Sequence, residues 1–462
     1  MMNHKIILIL IAVFSVFSFL PIQAFVQKDF NYAIVVKEKT FNDSEWKEVV
    51  NVLSEKYPST RIFIYKKSLD ELVKGLTSFS PDYIAVVAKP EDTNPKFVKE
   101  VNKFNRKLGT APYGKAVLGI VTGLTVEDAL RIAENKQKLE INFGLGGMMS
   151  FIDSLPSGIA YCEFYEEKEK WQAKDPDTDA ENYTDAPDDH LPAMVELINS
   201  DDIDGIWTSG HATPGGWLAY YPDGPSGINA EDGKLIGYVG EESYPIKSVN
   251  PKIYLGIGNC LTACIEDKDN AYSLAWIHSG GVDQFFGYTV ESYYGMMGWG
   301  MADYFFYRGG NFTLAESVFI INQALIMAME NDLAGDEIDD MAYDKDVCIV
   351  YGDPAWDVRV PASSAKETEV YEFSLTKEKA EGNKTLWKLS VKFKDDMNFN
   401  PESQKFIRPI FAFLPEKVHS PEAVSDLSNV SAWHVSNNFV IVNFKEEVKA
   451  GDSRVFEFTT AD

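Results

Sequence analysis

Residues 61–71 read Arg61-Ile62-Phe63-Ile64-Tyr65-Lys66-Lys67-Ser68-Leu69-Asp70-Glu71. A β-branched and aromatic run has the composition of a strand. Ser68, with a Glu three positions later, is a capping box that opens a helix. A strand that hands over directly to a helix is the unit of an α/β fold, and the unit recurs on both sides. Upstream, Ala33-Ile34-Val35-Val36 is a short apolar strand, and Trp46, Val49, Val50 and Leu53 repeat at helical spacing behind it. Downstream, Tyr83-Ile84-Ala85-Val86-Val87 and Ala116-Val117-Leu118-Gly119-Ile120-Val121 are strands with a basic helix between them, and Thr125 to Asp128 opens another helix. Such alternation predicts a mostly parallel sheet covered on both faces. No G-x-G-x-x-G follows the first strand, so a dinucleotide site is rejected.

Beyond residue 143 the strands become richer in glycine and aromatics. Ile206-Trp207-Thr208-Ser209, Ile253-Tyr254-Leu255-Gly256-Ile257, Phe285-Phe286-Gly287-Tyr288 and Val347-Cys348-Ile349-Val350 read as buried strands. Thr313-Leu314-Ala315-Glu316 caps a long apolar helix that runs to Met329. Past Pro361 helical periodicity fades. Val370–Leu375, Leu386–Val391, Phe439–Val442 and Val455–Phe458 are strand-like, several alternating apolar with polar. About 100 residues of this kind fit a β-sandwich of immunoglobulin-like type. The expected organisation is a Rossmann-like α/β unit over 25–142, a second α/β unit over 143–362 and an all-β unit over 363–462.

In 462 residues, 43 Lys and Arg stand against 70 Asp and Glu, a net charge of −27. Phosphate binding needs a basic face, which argues against nucleic acid or an anionic membrane as the main partner. Hydrophobic residues at 45% and aromatics at 13% suffice for real cores and exclude a mostly disordered chain. At the start, a weakly positive Met1–Lys5 precedes the apolar run Ile6–Leu20 and then Pro21-Ile22-Gln23-Ala24. That order is expected of a secretory signal peptide over 1–24, the run being shorter than the ~20 residues a bilayer span needs. The mature protein is therefore expected to be secreted or periplasmic, with no transmembrane segment.

Four cysteines, at 162, 260, 264 and 348, are too few for a disulfide-built scaffold. None has zinc-ribbon spacing. Two stretches are strongly acidic: residues 163–189 hold eleven Asp and Glu with three Lys, and residues 330–346 hold eight with one. A solvated surface loop is the ordinary reading of each. Calcium is the functional alternative, with Asp175, Asp177 and Asp179 starting like an EF-hand, but the Gly at the sixth position and the Glu at the twelfth are missing.

The chemistry-bearing pair is His211 and Cys260. His211 follows Ile206-Trp207-Thr208-Ser209-Gly210, and Cys260 follows Tyr254-Leu255-Gly256-Ile257-Gly258-Asn259. Each stands just past a buried strand, where open parallel sheets gather functional residues. A thiolate attacks where a thiol at pKa ~8.5 mostly does not. Leu261 to His278 reads as a helix starting directly at Cys260, whose N–H groups would stabilise the thiolate. A nearby His protonates a leaving amine and then activates water, and the backbone N–H of Cys260 with one from the His211 loop, Ala212 being the expected donor, would stabilise an oxyanion. As ordinary structure, a His at a strand end faces solvent or packs, and a Cys there is a small buried hydrophobe. Spacing alone does not separate these readings.

Three segments in order bring the chain to a family. They are Gly210-His211 with Pro214-Gly215-Gly216; Gly258-Asn259-Cys260-Leu261-Thr262 followed by Tyr272-Ser273-Leu274-Ala275, Gly280-Gly281-Val282, Gly287 and Tyr293-Tyr294; and Val350-Tyr351-Gly352-Asp353-Pro354-Ala355. Over about residues 30–360 the chain resembles the gingipain-type cysteine peptidases of the caspase-like clan, whose His precedes its Cys by about 50 residues in caspases. The resemblance implies a Rossmann-like subdomain, a caspase-like α/β sandwich over 143–362 and a trailing immunoglobulin-like sandwich. It further implies a cysteine endopeptidase acting on proteins or peptides, with Cys260 as nucleophile and His211 as general acid/base, and with no cofactor required. Ala212 stands where the family usually has Gly. Ala263-Cys264 matches the clan's Ala-Cys dipeptide and makes Cys264 the rival nucleophile. By the same resemblance Tyr294 is a wall of the first specificity pocket, and Glu163, Glu166 or Glu167 is its acid, selecting basic side chains. The alternatives are a catalytically silent caspase-like scaffold binding a secreted partner and a calcium-dependent adhesin.

Overall fold

The computed structural model describes residues 30–461 apart from 201, 309, 366–369, 400–406, 425 and 446; the expected signal peptide lies outside them. In chain order the first stretch forms β1 (Tyr32–Lys37), α1 (Glu38–Phe41), α2 (Ser44–Lys56), β2 (Thr60–Tyr65), α3 (Val73–Phe79), β3 (Tyr83–Val87), α4 (Pro95–Arg106), β4 (Val117–Val121) and α5 (Val126–Glu134). Local chemistry sets these bounds. The Asp43 carboxylate caps α2 by accepting from Glu45 and Trp46 N–H, and Asn94 caps α4 ahead of Pro95. Ser68 with Glu71 and Thr125 with Asp128 close full capping boxes. The first box opens a short 3₁₀ turn, Leu69–Leu72, that leads into α3.

The middle of the chain adds β5 (Leu139–Glu140), β6 (Phe143–Gly146), β7 (Ser157–Tyr161), β8 (Trp171–Lys174), β9 (Glu181–Tyr183), α6 (Leu191–Asn199) and β10 (Gly205–Thr208). Five antiparallel strands follow: β11 (Ala212–Thr213), β12 (Gly216–Leu218), β13 (Ser226–Glu231), β14 (Lys234–Val239) and β15 (Glu242–Ile246). Then come β16 (Lys252–Gly256), α7 (Tyr272–Ser279), β17 (Val282–Tyr288), α8 (Met296–Phe306), α9 (Leu314–Glu330), α10 (Ile338–Asp344), β18 (Cys348–Gly352) and β19 (Val358–Arg359).

One twelve-stranded sheet runs β2-β1-β3-β4-β18-β17-β16-β10-β6-β7-β8-β9. Its centre is parallel, but β18 runs antiparallel to β17 and β8 antiparallel to both its neighbours. The sheet crosses residue 142 without a break, because β18 joins β4 at Tyr351–Ile120; a separate two-stranded sheet, β19 with β5, also joins the two stretches. Interior strands β1, β10, β16, β17 and β18 are almost wholly buried, as sheets covered on both faces require. No helix among the described residues is long and apolar enough to cross a membrane.

The C-terminal part holds α11 (Ala362–Ala365), β20 (Tyr371–Ala380), β21 (Lys384–Phe393), β22 (Met397–Asn398), β23 (Ile410–Phe413), β24 (His419–Ala423), β25 (Val430–Val435), β26 (Phe439–Phe444), β27 (Glu447–Val448) and β28 (Ser453–Ala461). The antiparallel sheets β20-β21-β28-β24 and β23-β26-β25 share a core of Trp387, Leu389, Phe456, Phe458, Val440 and Val442. The other face of the second sheet packs on α9, with Phe319 against Phe439 at 5.6 Å between ring centroids. Being covered on both faces, β26 is buried at all six positions and reads as an apolar run from Phe439 to Val442, with the buried Asn443 and Phe444 after it.

Two expectations need correction. The helix expected over Leu261–His278 is only α7, Tyr272–Ser279. Leu261 sits at φ 60°, left-handed backbone that a helix does not contain, and its N–H goes to Val290 O and that of Ala263 to Tyr288 O. Those donors are spent on the neighbouring strand, and the exposed run 266–270 carries no apolar stripe to hold a helix. The acidic stretch 163–189 is not all solvated loop either, since β8 and β9 form the sheet's edge hairpin with Trp171 stacked on Tyr183 at 4.5 Å.

Candidate active site

The backbone builds the site before any side chain does. β10 and β16 are parallel neighbours, with Thr208 opposite Gly256, so the segments leaving their carboxyl ends start side by side. Ile257 N–H donates to Thr208 O at 3.0 Å. Asn259, fully buried, then joins the two segments: its Oδ1 accepts from Thr208 Oγ1 at 2.8 Å and its Nδ2 donates to Gly210 O at 3.2 Å. Thr208 Oγ1 is also 2.6 Å from Tyr254 Oη, which is 3.2 Å from Tyr272 Oη. This buried polar chain fixes Gly210 against Asn259, and His211 and Cys260 are the next residues out.

Both residues leave through unusual backbone. Gly210 has φ 88°, and Leu261, immediately after the cysteine, has φ 60°. A leucine held there costs about 1–3 kcal/mol, and such strain collects at functional sites. Behind them α8 lies so close that a Cβ on Gly298 would overlap the Ile257 carbonyl.

Cys260 is half-buried, whereas Cys162, Cys264 and Cys348 are buried; all four are free thiols. Burial pushes the Cys264 thiol up to about 12, with Glu266 and Glu291 adding to it, and raises Cys162 and Cys348 for the same first reason. Buried thiols with raised pKa values are inert, so access selects Cys260. Its Sγ accepts a hydrogen bond from Ser292 N–H at 3.1 Å and lies 3.9 Å from Ser292 O. The missing helix therefore offers no dipole to the thiol, and a single loop N–H stands in its place.

His211 is exposed, with its ring 4.9 Å from that of Tyr221. Among the described residues no hydrogen bond joins it to Cys260 and no carboxylate pairs with it. The His211 carbonyl accepts from Leu218 N–H at 3.0 Å, which makes the Ala212–Trp217 pair that follows a non-hydrogen-bonded one. The Ala212 N–H thus points away from β12, and β11 is the edge strand of its sheet.

Glu163 follows β7 at the same edge of the large sheet. Its carboxylate accepts from Met149 N–H at 3.4 Å, and burial raises its pKa. Its carbonyl accepts from Tyr221 N–H at 2.6 Å, while Tyr165 N–H donates to Tyr221 O at 3.1 Å. The Glu163 segment is thus tied to the tyrosine whose ring lies tilted beside His211. Glu166 and Glu167 are exposed, in a 3₁₀ turn. Tyr294 lies in the loop that carries Ser292, 38% exposed, and a hydrogen bond to Asp340 raises its phenol. Asp175, Asp177 and Asp179 are exposed at the turn between β8 and β9, and among the described residues no group of three or more His, Cys, Asp or Glu could hold a metal.

The sequence reading did not single out Tyr221 or Ser292. Tyr221 stands in Tyr220-Tyr221-Pro222, an aromatic pair with no chemical motif. Ser292 acts through backbone N–H, which any residue type supplies. No family model, no curated protein and no solved structure matches this chain.

Proposed function

We propose that this chain is an exported, gingipain-like cysteine endopeptidase, built as a caspase-like α/β unit with an immunoglobulin-like sandwich behind it. The observation that carries the reading is the Asn259 bridge, which ties the segment leading to His211 to the segment leading to Cys260 at the carboxyl ends of adjacent parallel strands. The strained residue after Cys260 and the burial of the other three thiols support it.

In this reading Cys260 Sγ, as thiolate, attacks the scissile carbonyl carbon and forms an S–C bond. The oxyanion is held by the N–H of Ala212, on its open strand edge, and by that of Cys260. Ala in place of Gly leaves that N–H donor intact. His211 protonates the leaving nitrogen as the C–N bond breaks, then takes a proton from water, whose oxygen attacks the thioester and releases Sγ. His211 rotates from Tyr221 toward Sγ to do so, a motion its exposure permits. Glu163 is the acid that accepts a basic substrate side chain, and Tyr294 is a wall on the thiol side.

Incubation with an unbiased peptide pool tests the reading. The folded wild type cleaves, Cys260→Ala and His211→Ala do not, and Cys264→Ala retains activity. Cleavage that survives in Cys260→Ala and vanishes in Cys264→Ala would move the nucleophile. A second reading, a catalytically silent scaffold, is favoured by one observation: Sγ is engaged by Ser292 and not by His211. Absence of cleavage in every protein would put that reading first.

A further inference from the structure

The acidic stretch 330–346 ends in α10, and α10 holds the loop that touches the thiol. That loop, residues 289–295, connects β17 to α8. Tyr343 Oη donates to Glu291 O at 3.0 Å, and the Tyr343 ring lies 6.2 Å from that of Tyr293. Tyr294 bonds Asp340. Asp344, fully buried, accepts from Met297 N–H at 2.6 Å and from Tyr288 Oη at 3.3 Å, on the two elements that bracket the loop. Tyr288 Oη in turn accepts from Gly298 N–H at 2.8 Å. Both ends and the middle of the loop are therefore fastened to α10, and at its centre Ser292 N–H points at Cys260 Sγ.

We propose that α10 sets the reactivity of Cys260, with Asp344 as a positioning residue that, through Tyr288 and Met297, keeps the Ser292 N–H on the sulfur. An N–H donated to sulfur favours the thiolate. A charged acceptor binds Met297 N–H and Tyr288 Oη more strongly than a neutral one, so the clamp tightens when Asp344 ionises. The groups facing Asp344 are Asp340 and Tyr343 on its own helix, Tyr288 on β17, Cys348 on β18, and the Met296 and Met297 N–H groups of α8. Burial raises the Asp344 carboxyl to about 6, within reach of ordinary buffers. Direct repulsion between this carboxylate and the thiolate acts in the opposite sense, so the two effects differ in sign.

The inference rests on Cys260 as the working thiol but not on peptide cleavage, because alkylation reads the thiol directly. Iodoacetamide labelling of Cys260 in the full chain is followed by mass spectrometry from pH 5 to pH 9. In the wild type the rate should rise through an inflection near pH 6. Asp344→Asn should lose that inflection and label about tenfold more slowly at pH 7.5, the worth of one charge-assisted hydrogen bond. Tyr343→Phe, which removes only the bond to Glu291 O, should slow labelling at all pH values while leaving the inflection. A rate that is flat or falling through pH 6, or a folded Asp344→Asn whose profile overlays the wild type, overturns the proposal. Normal labelling behaviour with no peptide cleavage would sink the peptidase reading and leave this inference standing.

Discussion

Asp344 should cost the protein stability at neutral pH. Its carboxyl rises from 3.8 to about 6, mainly because burial removes it from water and only in part because Asp340 lies nearby. Its Oδ1 is buried with no hydrogen-bond partner. A rise of that size corresponds to about 3 kcal/mol against the ionised form. The native state thus keeps a proton between pH 6 and pH 4 that the unfolded chain has released, so this group makes stability rise as pH falls through that window. Asp344→Asn removes the dependence. Its amide NH2, placed where Oδ1 is now unpartnered, costs about 1–3 kcal/mol at every pH, so the change with pH is the diagnostic quantity. The effect of Asp344→Asn relative to wild type should become more favourable by about 3 kcal/mol between pH 4 and pH 8. The assay is urea unfolding of wild type and Asp344→Asn followed by tryptophan fluorescence at pH 4 and at pH 8, comparing the mutant's stability change at the two pH values. A mutant effect that stays constant between the two pH values would refute the reasoning, as would one that changes in the other direction.

Other perturbations follow from the same contacts. Asn259→Ala removes one buried and one part-buried hydrogen bond and should destabilise by about 2–4 kcal/mol; in the fraction that remains folded, Cys260 labelling should slow, and unchanged labelling would show the bridge to be dispensable. Leu261→Val places a β-branched residue at φ 60° and should cost about 1–2 kcal/mol, measured by thermal melting, whereas Leu261→Gly relieves the strain and should leave stability within about 1 kcal/mol while cleavage slows. Glu163→Gln should reduce cleavage after Arg and Lys at least about tenfold, mainly through KM, because a charged pair in a half-buried site becomes a neutral contact; cleavage after neutral residues should not change, and an equal loss for both would remove Glu163 from the pocket.

The large parallel-centred sheet was legible because its strands announce themselves. Ile253–Ile257 and Val347–Val350 are short apolar runs with turn signals around them, and capping boxes at Ser68, Thr125 and Thr313 mark helix starts by local hydrogen bonding alone. The five-stranded sheet over 212–246 went unread, since Ser226–Glu231 mixes polar residues and a glycine into a largely buried strand, and Glu242–Ile246 is polar, mostly exposed and carries a proline. Their pairing is a tertiary outcome with weak sequence pattern. At the site, His211 and Cys260 stood out as reactive side chains beside glycines. What holds them did not, because Tyr221 is pinned through its backbone and Ser292 offers only an N–H. The helix expected after Cys260 does not form because Leu261 is in left-handed backbone with its N–H bonded to Val290 O, tertiary features that local sequence does not carry.

The most direct measurement is a titration of activity against modification. Full-length protein is treated with increasing substoichiometric iodoacetamide, the fraction modified at each cysteine is read by mass spectrometry, and cleavage of the peptide pool is measured on the same samples. Cys260 should be modified first, and the cleavage rate should fall in proportion to the fraction of Cys260 modified, reaching zero when it is complete. Cleavage that persists with Cys260 fully modified, or that follows Cys264 instead, would contradict Cys260 as the nucleophile.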